Sequence, residues 1–224
     1  MYMKQVYIYK GFERFWHWSQ AALIIFLAFT GFEVHGSFSF FGYEKAVLYH
    51  KVSSMLLMGL IVFAIFWHVT TGEWKQYIPT TKRLADQILY YTRGIFRGEK
   101  HPTKKTTLSK LNPLQVLTYL GFKLFLVPLI VITGILYMSH KHINPNTMII
   151  VDTVPLEPVA LLHTLGAFLL IAFLIVHVYM TTTGHTVTSN IAAMITGYEV
   201  VDDDNQDNSV DKEKKDQHSP VNRK

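Results

Sequence analysis

Residues 155–182, PLEPVALLHTLGAFLLIAFLIVHVYMTT, form an apolar run long enough to cross a bilayer as one helix, and that run carries His163 and His177. Fourteen residues separate the two histidines. On a helix this places them roughly 21 Å apart along the axis. Fourteen steps of about 100° return almost to the starting direction, so both rings leave the same face, offset by about 40°. A single helix therefore offers one imidazole towards each side of a membrane. Ionisable groups inside a span are expensive and mark functional sites by default.

Half of the 224 residues are apolar, aromatics make up 14 %, and charge is absent from long stretches. This is the profile of a small polytopic membrane protein. The first apolar run is too long for a cleavable signal peptide and has no small-residue cleavage site. There are no cysteines. Thiolate-held iron–sulfur clusters, Cys-ligated zinc and covalent haem attachment are thereby excluded. Eleven histidines are many for this length.

The pattern predicts an all-α membrane protein, a four-transmembrane-helix bundle with surface amphipathic helices. The leader, residues 1–13, is basic and rich in tyrosine, which suits a membrane interface. The spans are expected at about 14–34, 45–71, 113–139 and 156–182. The first opens with Trp16-His17-Trp18; the second holds His50 near its start and His68 near its end. Between the second and third lies a basic stretch. Within it, residues 80–97 place Leu84, Ile88, Tyr91 and Ile95 at helical spacing, as in a helix lying on the membrane surface. Pro113 suits a first helical turn and Pro128 predicts a kink. Residues 189–200 read as another surface helix. The division expected is a bundle domain over 1–200 and a polar, disordered tail over 201–224.

Lys and Arg set the orientation. The leader holds Lys4, Lys10 and Arg14, the middle stretch holds nine basic residues and the tail five; the opposite side has only Lys45, Lys51 and Lys141. Both termini and the middle stretch are therefore expected in the cytoplasm. The net charge of +5 reflects this asymmetry and gives no reason to invoke nucleic acid.

With that orientation the histidines sort by depth. His50 and His163 fall on the outer side, His17 and His177 on the inner. A bis-histidine haem needs two neutral imidazoles from facing helices, on opposite faces of one porphyrin. A lone intramembrane histidine is more often a packed polar residue, but four that sort into two pairs favour two stacked haems. His68 lies eighteen residues after His50, five whole turns, so it faces the same way near the inner surface. It competes with His17 as partner of His177; the other place open to it is the interface near a haem propionate. His35, His140, His142 and His185 sit at the boundaries, where solvent or a haem propionate is the expected neighbour. Gly31, Gly59, Gly134 and Gly166 would let helices or a flat porphyrin approach closely.

Five features together resemble the di-haem cytochrome b family: Trp16-His17-Trp18, Tyr49-His50, Lys110-x-Asn112-x-x-Gln115, Ile132-Thr133-Gly134 and His163…His177-Val178-Tyr179-Met180. That family holds the membrane subunits of formate dehydrogenases, nickel–iron hydrogenases and thiosulfate reductases. The resemblance covers residues 10–200. It implies two non-covalent b-type haems, held by His50 with His163 and by His17 with His177. It also implies electron exchange with a quinone, menaquinone being expected, near the inner haem. Asn112 and Gln115 match the quinone neighbourhood, although an Asn there also suits a helix cap. Lys123 would snorkel or pair with a propionate. His68 departs from the family pattern.

The implied chain is an electron-transfer subunit in a bacterial inner membrane. Its partner would be a hydrogenase, a formate dehydrogenase, a sulfur-compound reductase or a multihaem cytochrome. The alternative class is a proton or metal-ion transporter using intramembrane histidines. It predicts carboxylates deep in the spans, whereas Glu33 and Glu44 lie at their edges.

Overall fold

The computed structural model describes residues 3–80, 84–99, 110–140, 155–184 and 186–202. In chain order these form β1 (Met3–Tyr7), α1 (Gly11–Val34), α2 (Tyr43–Thr71), a short 3-10 turn (Glu73–Tyr77), α3 (Leu84–Leu89), α4 (Pro113–His140), α5 (Leu156–Thr181), α6 (Ser189–Thr196) and β2 (Tyr198–Asp202). Helices α1, α2, α4 and α5 are long and apolar enough to cross a membrane, so the protein is an all-α membrane bundle with four spans. His142, His185 and the tail beyond Asp202 lie outside the described residues.

The chain divides into two compact units. One comprises residues 15–74 and 118–183 and contains the spanning bundle. Most of its apolar side chains point outward; Leu48, Ile65, Phe125 and Leu161 are all exposed. Such a surface suits a hydrocarbon solvent. Small or polar residues are buried where helices meet, among them Thr30, Ser53, Ala64, Thr133 and Val159. Gly166 of α5 faces α4 so closely that an added Cβ would lie 2.8 Å from Ile130 Cγ1.

Pro128 has no N–H to donate within α4. The helix answers with a wide π-helical turn over Phe122–Leu126, immediately before the proline, and then resumes its α-helical course over Val127–His140.

Glu33, at the end of α1, is buried at 4 % exposure. Its Oε1 accepts the backbone N–H groups of Phe40, Phe41 and Gly42 at 2.7, 2.7 and 2.8 Å. The carboxylate therefore organises the loop between the first two spans and places negative charge where α2 begins. Gly42 takes φ +84°, the left-handed region that favours glycine.

The other unit comprises residues 1–14, 75–117 and 184–224. The leader is a strand, not simply an interfacial segment. β1 pairs antiparallel with β2, Met3 opposite Asp202 through Tyr7 opposite Tyr198. The sequence marks this ribbon only by β-branched and aromatic residues at both ends of the chain. The stretch expected as a second surface helix over 189–200 is thus a short α6, closed by left-handed Gly197, and then a strand. The middle surface segment is α-helical only over Leu84–Leu89 and continues as a π turn and a 3-10 turn to Arg97. Its inward face holds Gln87 and Gly94, while Ile88 is exposed, as an apolar residue facing a membrane surface would be. The π turn shifts the period and carries Tyr91 and Gly94 inward. A buried ion pair, Lys110 Nζ to Glu13 Oε1 at 2.7 Å, links the start of α1 to the approach of α4.

Candidate haem sites

Helices α2 and α5 bring His50 and His163 together, with ring centroids 6.3 Å apart and planes at 80°. Helices α1 and α5 bring His17 and His177 together, 6.1 Å apart and at 49°. A metal–imidazole nitrogen bond of about 2.0 Å puts two imidazoles bound through opposite faces of one metal with centroids roughly 6 Å apart. Both pairs meet that requirement. The donor set is also right, since neutral imidazole suits iron.

The two pairs are built differently. At the first, α1 and α4 each offer a Thr-Gly step. Thr30 Oγ1 lies 3.1 Å from His50 Nδ1, and Thr133 Oγ1 lies 3.0 Å from His163 Nδ1. The neighbouring glycines make room for the rings. A Cβ on Gly31 would lie 3.3 Å from His50 Cε1, and one on Gly134 would lie 3.2 Å from His163 Cε1. Of the four glycines noted from sequence, these two seat histidines, Gly166 seats Ile130, and Gly59 faces open space.

At the second pair the neighbours are aromatic. Phe173 stacks on His177 at 5.9 Å and 10°, and Phe122 stacks on Phe173 at 4.4 Å. Tyr119 Oη lies 3.3 Å from His177 Nδ1. His17 packs edge-on against Trp18. His17 Nδ1 and the neighbouring Trp16 Nε1 are buried without a hydrogen-bond partner among the described residues. Buried polar atoms of this kind point to a group that completes them. Lys123 Nζ sits 5.6 Å above the Trp16 ring, a cation–π contact inside a span.

His68 packs between two tryptophans. Its Nδ1 lies 2.7 Å from the Ala64 carbonyl, and its ring packs edge-on against Trp16 at 5.6 Å and Trp67 at 5.1 Å. The ring that meets His177 is His17.

Asn112 and Gln115 form a reciprocal cap at the start of α4. The Gln115 N–H donates to Asn112 Oδ1 at 2.8 Å, and the Asn112 N–H donates to Gln115 Oε1 at 3.1 Å. Asn112 Nδ2 donates to the Tyr91 hydroxyl at 3.1 Å. Burial raises the pKa of that phenol above the ordinary value, and the Asn112 bond partly opposes the rise.

The family model described as prokaryotic cytochrome b561 matches residues 8–197. The chain belongs to the prokaryotic cytochrome b561 family. It is also 31 % identical over 204 residues to the Escherichia coli (strain K12) protein named "Putative cytochrome YdhU", covering 87 % of this chain and 75 % of that protein. As a member of the cytochrome b561 family, the protein is a b-type cytochrome of the membrane, and its work is electron transfer. The transporter alternative falls with that membership.

Sequence reasoning passed over three residues at these sites. Thr30 and Tyr119 carried no isolated signal, and Thr133 stood only as part of a family motif. The repetition of Thr-Gly on α1 and α4 was the available clue.

Proposed function

We propose that this cytochrome is the di-haem, quinone-linked membrane subunit of a respiratory oxidoreductase. The observation that carries the reading is the pair of imidazole pairs, 6.3 and 6.1 Å between centroids, drawn from facing helices of one bundle. His50 and His163 would hold one haem, His17 and His177 the other. A b-type haem supplies a one-electron iron couple whose potential follows its axial ligands and surroundings. The chain's own residues fix where each couple lies, orient the imidazoles and exclude water with apolar and aromatic walls. His68 is assigned to the wall, because its Nδ1 faces the Ala64 carbonyl and its ring packs on Trp16.

Lys and Arg distribution supports an orientation with both termini in the cytoplasm of a bacterium. His50 and His163 then lie towards the outer side and His17 and His177 towards the inner. The chain has no cysteine to hold an iron–sulfur cluster, and we assign substrate oxidation to a partner. The partner classes are a hydrogenase, a formate dehydrogenase, a sulfur-compound reductase or a multihaem cytochrome. Quinone, menaquinone in this reading, is the membrane-soluble partner. Asn112 and Gln115 are the residues we assign to a quinone carbonyl. Gln115 is the stronger of the two, because its Nε2 takes no part in the cap.

The test is reduction of the purified, oxidised cytochrome by a menaquinol analogue. Reduction of both haems, slowed about tenfold or more in Gln115→Leu with haem content unchanged, is the expected result. A cytochrome that dithionite reduces and the quinol does not would contradict the quinone assignment.

A further inference from the structure

Thr30 and Thr133 occupy equivalent positions at the His50–His163 pair, and their hydroxyl bonding decides a proton position. Each is buried, at 0 % and 5 % exposure. Thr30 Oγ1 lies 2.9 Å from the Phe26 carbonyl and 3.2 Å from that of Leu27. Thr133 Oγ1 lies 2.6 Å from the Leu129 carbonyl and 3.2 Å from that of Ile130. A hydroxyl has one hydrogen, and a carbonyl oxygen only accepts. Two oxygens 2.6 Å apart need a proton between them, so the threonine donates to the carbonyl one turn back. Its lone pairs are what remain for the histidine. The ring nitrogen at 3.0 or 3.1 Å must therefore be the donor.

From this we propose that Thr30 and Thr133 are positioning residues that hold His50 and His163 in the Nδ1–H tautomer and leave each Nε2 lone pair for the iron. This rests on the di-haem reading above. Gly31 and Gly134 complete the seat: Nδ1 faces the hydroxyl, with the Leu27 carbonyl beside His50 and the Ile130 carbonyl beside His163, and Cε1 lies against a residue with no side chain. A hydrogen bond accepted from Nδ1–H also raises the basicity of the ligating nitrogen, which favours the oxidised iron. The second pair has no such device at His17, whose Nδ1 is without a partner among the described residues. The threonines therefore lower the potential at one haem and not at the other.

A threonine in a spanning helix bonds the preceding turn of its own helix in any case. If that were its whole role, removing the hydroxyl would leave the haem untouched. The experiment is a redox titration of the wild-type cytochrome, Thr30→Val, Thr133→Val, the double variant, and Thr30→Ser and Thr133→Ser. The expected result is two b-haem waves in the wild type. One wave moves to higher potential in each Val variant, further in the double variant, and returns in the Ser variants. The other wave stays in place. If a Val variant instead sheds one haem, with affinity lower by about tenfold to a hundredfold, while the Ser variant keeps it, the proposal also stands. Val and Ser variants that behave alike, or waves that move together, overturn it. A wild type without two haem waves overturns the di-haem reading itself and is told apart by the haem count before any variant is made.

Discussion

The His50–His163 pair and the His17–His177 pair share a ring separation and almost nothing else. The first sits in a seat made twice by the same dipeptide, Thr-Gly on α1 and Thr-Gly on α4. The second has Trp18 against His17, Tyr119 and Phe173 against His177, and Phe122 stacked behind Phe173, while a lysine ammonium lies over Trp16, the residue before His17. The difference teaches where tuning resides. On the di-haem reading proposed above, hydrogen bonding to the imidazole sets ligand basicity at the first pair. On the same reading, aromatic walls and the Lys123 charge over Trp16 shape the field at the second, where the bond from His177 Nδ1 to Tyr119 is longer. Two haems with similar ligands would then differ in potential for different physical reasons.

The largest effect should come from the glycines. Gly31→Val or Gly134→Val forces side-chain atoms into a histidine already at contact distance. Overpacking of this kind costs about 1–3 kcal/mol. We expect a loss of roughly tenfold or more in haem retention at the His50–His163 pair, read as haem per chain after gel filtration, with the other haem kept. Loss of both would mean the bundle, not the seat, has failed.

Next is Lys123→Met. Removing the positive charge that lies over Trp16, the residue before His17, disfavours the reduced form of the haem proposed there, by an amount on the order of 1 kcal/mol. Redox titration should show one wave falling and the other unmoved; it is the wave that the threonine variants leave alone. Movement of the threonine-linked wave would break the contrast between the two sites.

Tyr119→Phe should do less, because the bond to His177 Nδ1 is long at 3.3 Å. A shift worth under about 1 kcal/mol in the same wave as Lys123→Met is expected. The smallest effect is that of His68→Phe. Its ring packs on Trp16 and Trp67, and the ring that meets His177 is His17, so both haems should remain, with unchanged low-spin spectra. Loss of one haem in this variant would move the axial role from His17 to His68.

The sequence makes much of this legible. Span lengths follow from hydropathy, and the helices appear at Gly11–Val34, Tyr43–Thr71, Pro113–His140 and Leu156–Thr181. Depth sorting puts His50 with His163, and their rings meet. Depth alone leaves His17 and His68 tied, because both lie near one surface. The tie is broken by rotation about the helix axis, which one sequence does not supply. Thr30 escapes notice because threonine in a span is common, and its value depends on a ring from another helix. The pairing of β1 with β2 joins residues almost two hundred positions apart, beyond any local pattern. Glu33 reads as an edge carboxylate, and only the folded loop shows three amides converging on one oxygen.

The most direct measurement is a dithionite-reduced-minus-oxidised spectrum with haem quantitation on wild type, His163→Ala and His177→Ala. The predicted result is about two b-type haems per chain with bis-histidine spectra, and loss of roughly one in each variant, with His50→Ala matching His163→Ala and His17→Ala matching His177→Ala. One haem per chain in the wild type, or both lost on removing a single histidine from one pair, would contradict two independent bis-histidine sites.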